Sequence, residues 1–246
     1  MAPMEIDVAL GPAEIALLPD RDWTGTGAIV FDVLRATSSI LTGLAADART
    51  ILPVETIEEA HAAKRRHPDA LLCGERGGDR IEGFDLGNSP SEYTRTRGRT
   101  LITTTTNGTV ALRRCAAAER VFVGALLNLD ALLEALRESG LGAWVLVCAG
   151  THETVALEDV IAAGAVCDAF PEAKLTDAAL IARTAWREAR GDLLGALRSS
   201  RNGRACLAAG RDHDLAGCAA LSSLAVVGEL GPDGRIVCLR KTGEPK

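Results

Sequence analysis

The feature that most constrains this chain is a repeated unit: a short apolar run, a polar turn, then a stretch with helical spacing. Ala28–Val33 (AIVFDV) is apolar throughout except at Asp32, as a parallel strand buried on both faces should be. Thr50–Val54, Leu71–Cys73, Leu101–Ile102, Arg120–Val123 and Ala143–Cys148 repeat the pattern, after a shorter run at Ile6–Leu10. Helical stretches lie between them. Ile40, Leu41 and Leu44 share one face, with Thr37 or Ser38 able to cap it. Thr56 and Glu59 have capping-box spacing ahead of a helix that Pro68 ends. Leu132, Leu133 and Leu136 mark a third helix, and 157–169 a fourth, thinned by Ala162, Ala163, Gly164 and Ala165 so that it can pack closely. In 176–190 the spacing turns Leu180, Ile181, Thr184 and Ala185 inward. Residues 191–221 read as short helices broken at Gly203 and Gly210. Two last strands flank Gly231-Pro232-Asp233-Gly234 as a terminal β-hairpin. Strand and helix alternate at least four times, which predicts an α/β fold. The expectation is three α/β/α layers around a mostly parallel, mixed sheet with a C-terminal β-hairpin. The length suits one such domain, or two lobes.

Composition removes several classes of function. Aromatics are 3% of residues, which disfavours base-stacking nucleic-acid modules. The net charge is −6, so no nucleic-acid backbone is expected as partner, while local arginines can still attract a small anion. No apolar run is long enough to span a membrane, and MAPMEIDVAL lacks the pattern of a secretory signal. Seven scattered cysteines without a CxxC spacing, and four scattered histidines, predict a cytoplasmic protein with reduced thiols and no zinc. The Gly25–Gly27 GxG precedes its strand and lacks a third glycine, so it is no dinucleotide fingerprint. A homodimer is the base-rate expectation.

The residues just past the strands are more informative. Asp32, Arg35, Thr37 and Ser38 lie at the end of one run, and Glu75 and Arg76 in a glycine-rich loop after another. Thr103 to Thr109 form a hydroxyl-rich turn around Asn107-Gly108, ahead of a helical stretch. Gly150, Thr151 and His152 come after Cys148, with Glu158 and Asp159 one loop later. In open parallel sheets, ligands bind beyond the carboxyl ends of the strands. Carboxylates, arginines and a turn with free amides, gathered at one edge, suit phosphoryl transfer to water. Mg2+ prefers oxygen ligands, and Asp32, Glu75, Glu158 and Asp159 offer them. Arg35 and Arg76 can clamp phosphate oxygens, and the turn at Thr106, Asn107, Gly108 and Thr109 can donate to the remainder. Simpler readings stand beside these. The threonines suit a strand and a helix cap, Glu158-Asp159 complements a helix dipole, and Cys148 reads as core. His152 is either a general acid or an exposed loop residue, and His213 reads as part of a helix start.

At these residues the chain resembles the 2-phosphosulfolactate phosphatase family. The resemblance rests on FDVLRATSSI (31–40), GERGG (74–78), GFDLGNSPSEY (83–93), TTTNGTVAL (104–112), and CAG followed by LEDVIAAG (148–150, 157–164). It covers roughly residues 28 to 220 in order, and is weakest after Ala173. It implies an Mg2+-dependent phosphatase that converts (R)-2-phospho-3-sulfolactate to 3-sulfolactate, a step toward coenzyme M. Asp32, Arg35, Glu75, Arg76, Asn88, Ser89, Asn107, Gly108, Glu158 and Asp159 fall on motif residues. DVLRAT is not the DxDxT of aspartyl-phosphate enzymes, so attack by a metal-activated water is preferred to a phosphoenzyme. The predicted site has catalytic Asp32, Arg35, Glu75 and Arg76, and metal-holding Asp32, Glu75, Glu158 and Asp159. Thr37, Ser38, Asn88, Ser89, Thr106, Asn107, Gly108, Thr109 and Gly150 are expected at the substrate, a small anionic phosphoester. A phosphatase for another small phosphoacid, and a non-catalytic binder of an anionic metabolite, are the alternatives.

Overall fold

The computed structural model describes residues 3–241; the first two residues of the N-terminal stretch and 242–246 lie outside the described residues. In chain order the strands are β1 (Glu5–Ala9), β2 (Thr26–Phe31), β3 (Thr50–Pro53), β4 (Leu71–Arg76), β5 (Asp79–Arg80), β6 (Thr100–Thr104), β7 (Val121–Gly124), β8 (Ala143–Cys148), β9 (Lys174–Leu175), β10 (Val226–Leu230) and β11 (Ile236–Lys241). The helices are α1 (Pro12–Ile15), α2 (Ala36–Ala45), α3 (Ile57–Arg66), α4 (Gly108–Arg114), α5 (Leu129–Glu138), α6 (Leu157–Ala169), α7 (Asp177–Ala189), α8 (Leu193–Ser199), α9 (Arg201–Ala208) and α10 (Asp212–Cys218).

The layers follow from strand alternation. All of β2 is buried. Ile29 and Phe31 join one core with Leu132 and Leu136 of α5 and Ile161 and Val166 of α6. Ala28 and Val30 join another with Ile40 and Leu41 of α2 and Leu112 of α4. Successive side chains of a strand point to opposite faces, so the two cores lie on the two sides of one sheet. The α/β expectation holds, with helices packed around a mixed, mostly parallel sheet.

The hairpin has a larger role than a terminal ornament. The strand order is β5-β4-β6-β3-β11-β10-β7-β2-β8-β1-β9, so β10 and β11 sit inside the sheet. On one side β3, β6 and β4 run parallel, and on the other β7, β2, β8, β1 and β9 do. Every pairing across the hairpin is antiparallel, which reverses one block relative to the other. Over the five steps from β2 to β6, a rotation of roughly 20–25° per step accumulates to ~100–125° and offsets much of that reversal. The seam is narrow: among the described residues the ladder of β11 and β3 has the single pair Ile236 and Ile51, beside which the Thr50 hydroxyl donates to the Ile236 carbonyl at 3.1 Å. The other side is better fastened. Asn128 donates to the carbonyls of Val123 and Val226, and Arg120 grips Glu229 at 2.7 and 3.0 Å.

Several local expectations are corrected. Asp32 lies just past β2, not within it. Glu75 and Arg76 end β4, and Gly77-Gly78 is the turn of a short hairpin to β5, so GERGG is not an open loop. Helix α2 starts at Ala36, which puts Thr37 and Ser38 inside it as buried residues and not at its cap. On α7 the inward residues are Ala179, Ala182 and Trp186, while Leu180 and Ile181 are 39% and 58% exposed. The cause is the close approach of α6: a Cβ on Gly164 would lie 1.9 Å from the Ala182 carbonyl oxygen. Ala179 and Ala182 therefore face inward with Trp186, and Leu180 and Ile181 are turned out. Gly203 breaks no helix; it lies within α9 against the Leu197 carbonyl, and the break is at Ser200. Among the described residues no helix is long and apolar enough to cross a membrane.

Candidate active site

The loops after β2, β4, β6 and β8 meet, and their meeting is built from carboxylates that accept backbone N–H groups. Asp32 Oδ1 accepts from Ala36 N at 3.1 Å, and its carboxylate also takes the Gly108 N–H. Glu75 accepts from Thr106 N and Gly78 N, both at 2.7 Å, one on each oxygen. Asp159 accepts from Val33 N at 2.8 Å and Gly150 N at 3.1 Å, again one on each oxygen. Each acid therefore ties its own loop to another, which is how four separate turns come to share one place.

The threonine–asparagine–glycine turn is thus an anion cradle whose anions belong to the protein. Two of its amides, Thr106 and Gly108, already serve Glu75 and Asp32. Thr105 and Thr109 serve one another through reciprocal N–H to hydroxyl bonds at 3.0 and 3.1 Å. Thr109, like Thr37 and Ser38, is buried with its hydroxyl on backbone groups, so these three shape the loops and do not reach a ligand. Gly108 is required by contact: a Cβ there would stand 2.6 Å from Asp32 Oδ2 and 2.7 Å from the Ala36 Cβ.

Above this base lies a cavity of about 380 Å3 lined by Asp32, Arg35, Glu75, Asn88, Thr106, Asn107 and Gly150 from the predicted set. Ser89 lies outside it, in a neighbouring cleft that also touches Arg35. Glu158 and Asp159, expected at the metal, do not line the cavity; both are buried behind it. Among the described residues three buried side-chain oxygens have no protein partner: Asn88 Oδ1 and Thr106 Oγ1, on cavity residues, and Glu158 Oε2. Arg35 donates Nη1–H to Asp214 Oδ2 at 2.7 Å and Nη2–H to the Gly78 carbonyl at 2.8 Å. A guanidinium has five N–H donors, so Arg35 retains donors for a ligand.

Arg76 is a correction. It follows Glu75 on a strand, and alternation sends it to the other face. There its guanidinium donates to the carbonyls of Glu75 and Glu55 and to Thr104 Oγ1, and it does not line the cavity.

The electrostatics are those of a crowded acid cluster. Burial, and then the charges of Glu75 and Glu158, push the Asp32 carboxyl up to about 7 despite its two amide donors. Burial, Glu158 and Asp32 drive Asp159 well above the usual carboxylate range. Cys148 is fully buried and its thiol is pushed up by burial, which fits the core reading and no nucleophile. The acids do not form a ready cage. Among the described residues no group of three or more His, Cys, Asp or Glu side chains is arranged to hold a metal ion. Asp159 has both oxygens committed to loop amides. The donor chemistry still suits a hard cation, because the unpartnered atoms of Asn88, Thr106 and Glu158 are all oxygens and Mg2+ often takes only one or two carboxylates.

The segment after residue 173 supplies parts that the sequence reading missed. Arg201, Asn202, Cys206 and Arg211 line the cavity from α9 and the turn after it. Asn202 Nδ2 donates to Glu158 Oε1 and Thr151 Oγ1, both at 2.6 Å. Asp214 of α10 receives Arg35 and, from Ser89, a hydroxyl at 2.5 Å. His152 lines the cavity rim and is exposed. His213 stands mostly exposed beside Asp214 in the first turn of α10, as the helix-start reading expected. The only sequence signal for this segment was charge on short helices, which is ordinary for a solvated surface.

Comparison with known proteins gives a consistent result. A family model described as 2-phosphosulpholactate phosphatase matches residues 15–232, which includes the part where the motif resemblance was weakest. A protein of Symbiobacterium thermophilum named probable 2-phosphosulfolactate phosphatase is 40% identical over 229 residues, covering 90% of this chain and 97% of that protein. A Deinococcus radiodurans protein of the same name is 40% identical over 224 residues, covering 89% and 92%. One from Pseudothermotoga lettingae, again so named, is 38% identical over 215 residues, covering 87% and 93%.

Proposed function

Because the chain belongs to the 2-phosphosulfolactate phosphatase family, we propose that it hydrolyses 2-phosphosulfolactate to 3-sulfolactate and phosphate, with Mg2+ bound at the acid cluster. The observation that carries this reading is the convergence of Asp32, Glu75 and Glu158, with buried, unpartnered oxygens on Asn88 and Thr106 at the cavity and on Glu158 behind it. Buried like charges without a counter-ion are unfavourable, and a divalent cation relieves them. Asp32 and Glu158 would hold the ion, with Asn88 Oδ1 as a neutral donor, while Glu75 keeps the Thr106 and Gly78 turns in place. When bound, Mg2+ would neutralise phosphate charge and make water a better nucleophile at neutral pH.

The chain's own groups do the remainder. Arg35 is held by Asp214 and Gly78, and turns its remaining donors to the phosphoryl oxygens, where charge builds in the transition state. The Thr106 hydroxyl and the Asn107 side chain border the same space and orient the phosphoryl group. No serine, cysteine or histidine at the cavity has the paired base of an activated nucleophile, and Cys206 is a buried thiol pushed further toward its neutral form. Direct attack by water on phosphorus therefore remains the preferred route.

The test is phosphate release from a panel of small acidic phosphoesters, with Mg2+ and with EDTA. Release from 2-phosphosulfolactate that needs Mg2+ is expected. Equal release in EDTA removes the metal. Binding of anions without release from any ester removes the enzyme.

A further inference from the structure

Arg201 is the one cavity arginine to which the proposed reaction gives no role and the fold no acidic partner. Arg35 is paired with Asp214, and Arg211 with Asp79. Among the described residues Arg201 makes no ion pair; its hydrogen bond runs from Nη1 to Thr154 Oγ1 at 2.9 Å. The Thr154 hydroxyl itself donates to the Thr151 carbonyl at 2.9 Å, so its oxygen is fixed as an acceptor. Arg201 is thereby steered by a neutral partner, with its charge not neutralised. The loop that steers it is clamped: Thr151 and Thr154 exchange backbone bonds at 2.8 and 3.0 Å. Arg201 also opens α9, next to Asn202, which grips Glu158. One short segment thus meets the acid cluster at one residue and lends the cavity an uncompensated positive charge at the next.

We propose that Arg201 forms the subsite for the sulfonate of the substrate, the acidic group carried on the carbon beyond the one that bears the phosphate. This rests on the phosphatase reading given above and deepens it. 2-Phosphosulfolactate carries three acidic groups: the phosphate and, on the two neighbouring carbons, a carboxylate and a sulfonate. The Arg35 side of the cavity receives the phosphate. A sulfonate presents three oxygens to a planar fork of N–H donors, which a guanidinium matches better than an ammonium. Arg201 therefore sets the preference for the sulfonate-bearing ester over the same phosphoester without a sulfonate, and does little to the phosphoryl group itself.

The experiment compares wild type, Arg201→Ala and Arg201→Lys on 2-phosphosulfolactate and on 2-phospholactate, in which hydrogen replaces the sulfonate. Loss of a charge-assisted hydrogen bond predicts a fall in kcat/KM of about ten- to a hundredfold on the sulfonate ester for Arg201→Ala. The effect on 2-phospholactate should stay within about twofold, with Arg201→Lys intermediate on the sulfonate ester. Equal losses on both esters overturn the assignment. Calorimetric titration with 3-sulfolactate separates this idea from the reading beneath it. If wild type hydrolyses neither ester, the phosphatase reading fails, and the titration then decides the subsite. Tight binding to wild type with at least a tenfold weakening in Arg201→Ala supports it; equal binding, or none, overturns it.

Discussion

Replacing Asp32 by Asn should abolish turnover and yet stabilise the metal-free protein above neutral pH. The Asp32 carboxyl titrates at about 7 in the folded chain, against an ordinary value of 3.8. Its folded form holds a proton that the unfolded chain has released, so between pH ~4 and ~7 stability falls as pH rises, by about 1.4 kcal/mol per unit. Below that window both states are protonated, and above it both are ionised, so the slope vanishes. The full cost to the wild type is about 4 kcal/mol by pH 8, of which about 3 accrues above pH 5. Asparagine removes this titration. It keeps an oxygen for the Ala36 N–H but presents an NH2 where the carboxylate took the Gly108 N–H, a pH-independent cost of about 1–3 kcal/mol. The variant's advantage should therefore grow by about 3 kcal/mol from pH 5 to pH 8, whatever its starting sign. Urea unfolding of both proteins in EDTA at pH 5, 6, 7 and 8 measures this directly. A difference that stays flat across those pH values would refute the reasoning, because the acid cluster would then not be strained by its own charge.

The other substitutions separate roles that the sequence alone had merged. Arg76→Ala should leave KM within about twofold and cost about 1–2 kcal/mol of stability, since its bonds tie β4 to Glu55 and Thr104; a large rise in KM would put it back at the ligand. Gly108→Ala should inactivate, because its Cβ must displace Asp32 Oδ2, and a fully active variant would show that the contact relaxes freely. Asp214→Asn should destabilise by about 3–5 kcal/mol and lower kcat, as it leaves the buried Arg35 charge without its partner; unchanged melting and turnover would discard that pair as an organiser. Asn202→Ala should weaken Mg2+ binding, read calorimetrically, by freeing Glu158; unaltered affinity would remove Glu158 from the ion.

The sequence carried the fold well where local pattern decides it. Buried parallel strands announce themselves as apolar runs, and β8 was legible to the residue. The hairpin was legible as a hairpin, but its insertion between two parallel blocks was not. Register across β10 and β7 depends on Asn128 and on the Arg120–Glu229 pair, residues that lie 98 and 109 positions from their partners. The orientation of α7 failed for a similar reason. Hydrophobic spacing assumes that the largest apolar residues are inside, whereas here the backbone contact between Gly164 and Ala182 sets the rotation.

At the site, residue type was legible and direction was not. Strand ends named Asp32, Arg35, Glu75 and Thr106 correctly as neighbours of one cavity, because within each parallel block the turns after the strands fall together, and Thr106 N–H on Glu75 joins the turns after β6 and β4. A polar residue in a turn can face either the ligand or the loop, however, and the one-residue difference between Glu75 and Arg76 decides which by alternation. The same ambiguity explains the turn at 103–109. Free amides at a helix start attract an anion, but nothing in a sequence says whether that anion arrives from solvent or from another loop. Here Glu75 and Asp32 take those amides, so the phosphate cannot be held there in the way the motif suggests. The consequence runs to the chemistry. A cradle filled by the protein's own carboxylates repels a phosphoester, and substrate can approach only if positive charge stands between them. Arg35 supplies part of that charge from its place beside Asp214, and under the function proposed above a cation on the acids would supply the remainder.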